Sequence, residues 1–273
     1  MSTTIERRTC VTADGVQIVY SAAGAGKPGL VFVHGGLANR GFWESELYAF
    51  SPRYRVVALD LPGHGESGEN REHWGIPEFG ADVCAVIEAE RLSTVVLFGN
   101  SLGGPVAGEA ALRLGARALG VVGVDTFQRL DYTISPEQAT QRADAFGGDY
   151  AGSLAMMVKA LFHQDVDPAL AADAERRMAA AASPDTIYRM FASFAGYSLA
   201  ASVRRLAVPL RAINGDLHPT DLAANRSVAP GFDAVVMPHV GHYPMLERPG
   251  EFDRHVSEVV QALVSVADRR SEG

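Results

Sequence analysis

The stretch 93–104, STVVLFGNSLGG, decides the fold. Its first part is a continuous apolar run closed by glycine, the pattern of a strand buried on both faces, as in a parallel sheet. Its second part, FGNSLGG, places Ser101 in G-x-S-x-G, between that strand and a helix expected from about Leu102 to Leu114. A serine nucleophile must protrude from a sharp, strained strand-to-helix turn, and glycines on either side let strand and helix approach closely. Gly99 and Gly103 stand at those two positions, and Gly104 and Ala107 continue the small-residue face. Pro105 falls in the first helical turn, where a missing N–H is tolerated. The Leu102 N–H, at the new helix N-terminus, faces toward negative charge and supplies half of an oxyanion hole. An ordinary glycine-rich turn could carry the same letters; the strand–turn–helix setting favours the nucleophile.

Working outward, three more apolar runs repeat the form: GLVFVHGG (29–36), YRVVALDLPG (54–63) and LGVVGVDTF (119–127). Earlier, TCVTA and VQIVYSA flank Asp14-Gly15, a hairpin signal. IPEFGADVCAVIEAERL (76–92) carries apolar residues at helical spacing. Strands alternating with helices predict βαβ units, a parallel sheet and the α/β class. From about 127 to 205 the buried-strand pattern stops, and alanine-rich helical segments take over. Strand patterns return in VPLRAIN (208–214) and FDAVVMP (232–238), before a last amphipathic helix. The organisation expected is one core domain, 1–126 and 206–273, with a helical cap, 127–205, inserted after the sixth strand.

Composition narrows the function classes. The 273 residues are 47% apolar and 21% charged, with a formal net charge of −8. With no basic run, nucleic acid and an anionic membrane surface are not expected partners. No apolar stretch reaches the 18 or so residues of a spanning helix, and the first ten residues hold no secretory apolar segment, so a cytoplasmic location is expected. Cys10 and Cys84 read as free thiols. The eight histidines show no H-x-x-x-H spacing, so neither a metal nor another cofactor is expected.

The remaining machinery lies at strand ends. Gly36, in HGG (34–36), is the choice for the second oxyanion N–H. His34 reads as packing for that loop, and Asp60, His64 and Ser67 of DLPGHGES (60–67) as scaffold. VGHYPMLERP (240–249) puts His242 in a loop after the last strand, where a general base can reach a serine hydroxyl. Gly241 gives the chain room to turn, Pro244 and Glu247 fix the loop, and His239 is a partly exposed companion.

Together VHGG, DLPGHGES, GNSLGG and GHYPMLERPGEF resemble the α/β-hydrolase superfamily, in its motif order and over nearly the whole chain except the cap. The resemblance is to its capped, serine-nucleophile, esterase- or lipase-like branch. It implies an α/β-hydrolase fold, an eight-stranded, mostly parallel sheet flanked by helices, and a Ser–acid–His triad. Ser101 argues against the epoxide hydrolases and haloalkane dehalogenases that use an aspartate nucleophile.

Two positions can hold the acid in the order Ser…Asp/Glu…His. After VPLRAIN, relatives carry a glycine followed three residues later by the acid. Gly215 matches, but the third residue on is His218, which leaves Asp216 as the alternative. Asp221 reads as a cap of the next helix. Asp125, ending LGVVGVDTF, resembles the acid position of pancreatic-type lipases and is preferred.

The chemistry expected is hydrolysis of a small or medium carboxylic ester through an acyl-enzyme. Lactone, thioester or C–C bond hydrolysis and cofactor-free perhydrolysis would use the same triad, and a receptor-like binding protein is the non-enzyme alternative. The cap offers Met156, Met157, Leu161, Phe162, Met190, Phe191 and Phe194 for an apolar pocket. No feature specifies an oligomeric state.

Overall fold

The computed structural model describes residues 4–271. The apolar runs become eight strands: β1 (Glu6–Val11), β2 (Gln17–Ala23), β3 (Gly29–Val33), β4 (Val56–Leu59), β5 (Val95–Asn100), β6 (Ala118–Val124), β7 (Leu210–Gly215) and β8 (Asp233–Met237). They form one sheet in the order β1-β2-β4-β3-β5-β6-β7-β8. β1 pairs antiparallel with β2, and β2 with β4; every other pairing is parallel. β3, β4 and β5 are buried at every position, which is why they read as unbroken apolar runs rather than alternating ones. Of the outermost strands, β1 (ERRTCV) is mostly exposed and correspondingly polar, whereas β8 (DAVVM) is partly covered and apolar apart from Asp233.

The helices are α1 (Glu44–Phe50), α2 (Ile76–Ala89), α3 (Gly103–Leu114), α4 (Pro136–Gly147), α5 (Tyr150–Leu161), α6 (Pro168–Ala179), α7 (Pro184–Ala192), α8 (Leu199–Val203), α9 (Leu222–Val228), α10 (Pro244–Glu247) and α11 (Pro249–Ser271). Helices α2 and α3 pack together beside the sheet, and α11 packs against α1, β6 and β7. Phe32 of β3 joins this packing. Its ring lies 4.7 Å from Phe98 of β5 and 5.1 Å from Trp43, which in turn meets Phe252 of α11.

Five helices, α4 to α8, separate β6 from β7. The segment 184–200 carries apolar residues at helical spacing, but its helix is broken at residues 193–198. There Gly196 adopts φ 78°, a left-handed value open to glycine without cost, and the chain turns back. α4 opens on a capping box, with the Ser135 hydroxyl accepting from Gln138 N and the Gln138 amide oxygen accepting from Ser135 N.

Where β5 meets α3, backbone approaches backbone. A Cβ on Gly99 would lie 2.0 Å from the Gly103 carbonyl oxygen, and one on Gly103 would lie 2.3 Å from the Val33 carbonyl oxygen. Gly99→Ala is therefore expected to cost several kcal/mol or to prevent folding, because neither neighbour is a side chain that can move aside. Gly108→Ala, in the same α3 with nothing within 4 Å of its added Cβ, is the control. It is expected to be neutral or to stabilise by up to ~1 kcal/mol. Urea denaturation of both variants checks the contrast.

Candidate active site

The turn between β5 and α3 holds Ser101 at φ 51°. Such a left-handed conformation is costly for a residue with a Cβ and persists only when its surroundings impose it. Here the Ser101 N–H donates to the Val124 carbonyl at 3.2 Å, and the Ser101 carbonyl accepts from Gly104 N at 3.0 Å. Leu102 is the N-cap residue of α3, so its N–H stands at the positive end of that helix.

Asn100 binds the surroundings together. Its buried amide donates to the Val124 carbonyl at 2.9 Å and to the His242 carbonyl at 3.0 Å. One side chain thus ties β5, the end of β6 and the histidine loop. In the sequence it is an interior letter of FGNSLGG. Its signal was a polar amide ending a strand of otherwise buried apolar residues.

His242 follows β8 and is anchored through its own backbone, with its N–H donating to the Leu161 carbonyl at 2.7 Å. Its Nδ1 lies 2.6 Å from Asp125 Oδ2. Asp125 follows β6 directly, at φ 41°, with its side chain fully buried. Its other oxygen accepts from Gly215 N at 3.1 Å. Both carboxylate oxygens are therefore engaged, as a buried charge requires. Glu247 braces the loop by accepting from Gly241 N at 2.8 Å and Tyr243 N at 3.1 Å. Burial raises the Glu247 carboxyl and outweighs these two hydrogen bonds.

Asp216 lies elsewhere. It is exposed, its N–H donates to the Val240 carbonyl at 3.1 Å, and its carboxylate accepts from Val240 N at 3.3 Å. A hydrogen bond from the His239 backbone, the largest cause, lowers its carboxyl below the usual range. His218 is exposed, and Asp221 caps α9 by accepting from Ala224 N.

The HGG loop closes the other side. A Cβ on Gly35 would lie 3.2 Å from Ser101 Cβ, and one on Gly36 would lie 2.9 Å from Met190 Cε and 3.8 Å from Leu102 Cδ2. Gly36 thus sits against the turn. His34 is buried behind it: Leu61 N donates to its Nε2 at 2.9 Å, which assigns the ring proton to Nδ1, facing the Gly35 carbonyl at 2.7 Å. Burial pushes His34 down to about 4 and its neighbour His64 to about 3, so both rings are neutral. Asp60 accepts from Arg40 N and Glu66 N, while Ser67 Oγ donates to the Asp60 carbonyl.

A cavity of about 340 Å³ opens on Ser101 and Leu102. Its apolar wall includes Ile76, Pro105, Phe191, Phe194 and Leu199. Of the seven cap residues offered for an apolar pocket, Phe191 and Phe194 line this space, and Met156, Met157, Leu161, Phe162 and Met190 do not. Met156 is 72% exposed, because α5 buries Leu154 and Val158 and Met156 points off that face. Met157 packs partly buried against the core and is absent from the wall. Phe162 is buried under the histidine loop, its ring 5.5 Å from Tyr243. Met190 is buried and packs its thioether end against Gly36.

The groups that could hold a metal, among the described residues, are His163, Asp165 and His239, whose ligand atoms lie within 4.8 Å of one another. Tertiary contact assembles them, so no local spacing announces them. Asp165 and His239 are exposed. Among the described residues no helix is long and apolar enough to cross a membrane.

A mostly parallel eight-stranded sheet with a left-handed serine turn at the carboxyl end of a central strand is the framework of the α/β hydrolases. The alpha/beta hydrolase family matches residues 30–254, and the chain belongs to it. The chain is 37% identical over 108 residues to a non-heme haloperoxidase of Rhodococcus erythropolis, a match covering 39% of each protein. Over 255 residues it is 25% identical to a pimeloyl-[acyl-carrier protein] methyl ester esterase of Nitrosospira multiformis, covering 87% of this chain and 95% of that one. A solved structure described as an aryl esterase from Burkholderia cenocepacia superposes with TM-score 0.79 at 26% identity, covering 95% of this chain and all of the other. The first curated relatives are matched over only 29 to 39% of their own lengths.

His34 makes the loop sensitive to acid. An ordinary imidazole titrates near ~6.5, whereas His34 titrates near about 4. Between those values the unfolded chain takes up a proton that the folded chain refuses. The His34 contribution is therefore full above pH ~6.5 and is lost as pH falls through that window. His34→Ala is expected to destabilise by about 1–3 kcal/mol at pH 7, because Leu61 N–H loses its buried acceptor. The difference from wild type should narrow toward pH 4.5 in denaturant titrations at several pH values.

Proposed function

We propose that the chain is a serine hydrolase of small or medium carboxylic esters, with Ser101 as nucleophile, His242 as general base and Asp125 as the orienting acid. One observation carries this reading: His242 Nδ1 sits 2.6 Å from the buried Asp125 carboxylate, in a loop tied through Asn100 to the serine turn. A proton held on Nδ1 by the carboxylate leaves the Nε2 lone pair to receive the Ser101 hydroxyl proton. Ser101 Oγ attacks the ester carbonyl as that proton moves to Nε2. The Leu102 and Gly36 N–H groups hold the oxyanion, at about 3 kcal/mol for each donor. The imidazolium then protonates the departing alkoxide and leaves an acyl-enzyme. Water, deprotonated by the same Nε2, releases the acid and restores the serine. No cofactor enters these steps.

In this reading residues 127–205 form a cap on a core of 1–126 and 206–273, with Phe191 and Phe194 presenting the cap's apolar face to the acyl group. The substrate is a small molecule rather than a nucleic acid or membrane surface. The location is cytoplasmic, in keeping with two free cysteines, both raised to about 11 by burial. The haloperoxidase relative favours one second reading, perhydrolysis, in which hydrogen peroxide replaces water at the acyl-enzyme and yields a peracid.

Asp125→Asn is expected to lower ester turnover by about 10³–10⁴-fold, the size of the effect known for the corresponding acid of a serine protease. Asp216→Asn should stay within about threefold of wild type, as a surface substitution that keeps an acceptor oxygen. Steady-state rates on p-nitrophenyl esters test the pair, and the reverse ranking would transfer the role to Asp216. A fluorophosphonate probe should label Ser101 in the folded wild type and leave Ser101→Ala unlabelled. An unlabelled wild type would remove the hydrolase reading. Peracid formation in added peroxide separates the two chemistries.

A further inference from the structure

The cavity beside Ser101 is not apolar throughout. Its wall also includes Gln128, Arg129, Tyr132 and Arg142, with both arginines exposed. Two guanidinium groups in one cavity wall place local positive charge in a chain whose formal net charge is −8.

The two arginines differ in what they already hold. Arg129 is neutralised: it forks onto Asp131, at 2.9 and 2.6 Å, and reaches Asp221 at 3.4 Å. Arg142, on α4, has no such partner. Its Nη2 donates to Tyr132 Oη at 2.6 Å, and its guanidinium carbon lies 5.7 Å from the Tyr132 ring centroid. Among the described residues no carboxylate stands within ion-pair distance of it. The phenol fixes the guanidinium without cancelling its charge, and most of its five donors are left to serve something else. A planar guanidinium presents paired N–H groups at the spacing of the two oxygens of a carboxylate.

Resting on the hydrolase reading above, we infer that Arg142 binds a carboxylate on the substrate, so that the preferred ester carries a second, free acid group. The ester carbonyl lies at Ser101, the methylenes of the acyl chain run along Leu102, Phe191 and Phe194, and the distal carboxylate ends at Arg142 beside Tyr132. The substrate class is the half-ester, or the cyclic lactone acid, of a short dicarboxylic acid. Arg142 is solvent-exposed, so an aliphatic end would displace its water and give nothing in exchange, whereas a carboxylate replaces that water with a counter-charge. Chemistry at Ser101 is unchanged, and the free acid leaves as the dicarboxylate product.

Two p-nitrophenyl esters of nearly equal acyl size test this: the glutarate half-ester, with a free carboxylate, and the neutral butyrate. In the wild type the half-ester is expected to have the higher kcat/KM. Arg142→Gln should lower the half-ester to butyrate ratio about tenfold, the size expected for losing a charged hydrogen-bonded contact. Arg142→Lys should recover part of that ratio. Raising ionic strength should raise KM for the half-ester more than for the butyrate. A ratio unmoved by Arg142→Gln overturns the inference. Calorimetry with the monoamide of glutaric acid reads the same subsite without turnover. Binding at least tenfold weaker in Arg142→Gln supports it, and equal binding overturns it. If the wild type hydrolyses neither ester yet binds the monoamide through Arg142, the hydrolase reading fails while the anion site stands.

Discussion

The closest constraint in the molecule is the contact between Gly99 and the Gly103 carbonyl, where a single added carbon would overlap the backbone at 2.0 Å. That approach forces β5 to turn into α3 within two residues, and Ser101 takes φ 51° as a result. A residue in that region costs of order 1–3 kcal/mol, which the surroundings must offset. They do so by position: β5 lies between β3 and β6, hydrogen-bonded on both sides. The turn cannot relax without breaking ladder bonds. The same geometry leaves the first N–H groups of α3 without helical acceptors, and they face the space that Ser101 enters. The strain at Ser101, its placement and the free N–H groups beside it therefore share one cause.

The acid follows from how parallel strands end. β6 and β7 pair in register, with Val124 opposite Ile213, so their carboxyl ends lie side by side, about 4.8 Å apart. Asp125 and Asp216 are each the residue that follows one of these strands. What separates them is where their hydrogen bonds go. Asp216 spends its N–H and its carboxylate on the chain after β8, bracing the turn that Gly215 makes possible by fitting against the Val240 carbonyl. Asp125 instead adopts a left-handed φ of 41°, which aspartate tolerates better than most residues. Its carboxylate takes one bond from β7 and meets His242 with the other oxygen. The apparent vacancy at His218 is thus a difference in which strand end supplies the carboxylate facing the imidazole.

These distinctions explain what could be read from the chain in advance. Runs such as GLVFVHGG and STVVLFGNS announce strands because double-sided burial removes polar residues from both faces, a local effect visible in a window of eight. The serine turn is legible in part for the same reason: Gly99 answers a contact with Gly103, four residues on, whereas Gly103 itself answers the distant Val33 carbonyl. Asn100 is a different case. Its partners lie 24 and 142 residues away, and nothing near it in the chain predicts them. The helices between β6 and β7 are an intermediate case. They are visible by period, yet a period marks only the apolar face and not the neighbour that covers it. On α5 even the face was within reach, since Leu154 and Val158 define it and Met156 lies two residues from the first, on the other side of the helix. The lining by Phe191 and Phe194 depends on how α7 packs against α4 and on the turn that follows it, and that is a property of packing.

The chain also contains two kinds of buried histidine, and the contrast bears on the proposed chemistry. His34 and His64 lie within 5.1 Å of each other, shielded from water. Each faces a backbone carbonyl through Nδ1. A carbonyl accepts one proton's hydrogen bond but does little to offset a full positive charge, so burial governs and the rings stay neutral. His242 is less buried and faces a carboxylate with no solvent exposure. That carboxylate is itself an uncomfortable charge, engaged only by the Gly215 N–H and the imidazole. A proton arriving on His242 would relieve it by turning a buried anion beside a neutral ring into a buried ion pair. In the proposed mechanism that proton comes from Ser101 as the tetrahedral intermediate forms. The surroundings of His242 therefore differ from those of His34 and His64 in two respects, shallower burial and a carboxylate rather than a carbonyl facing Nδ1.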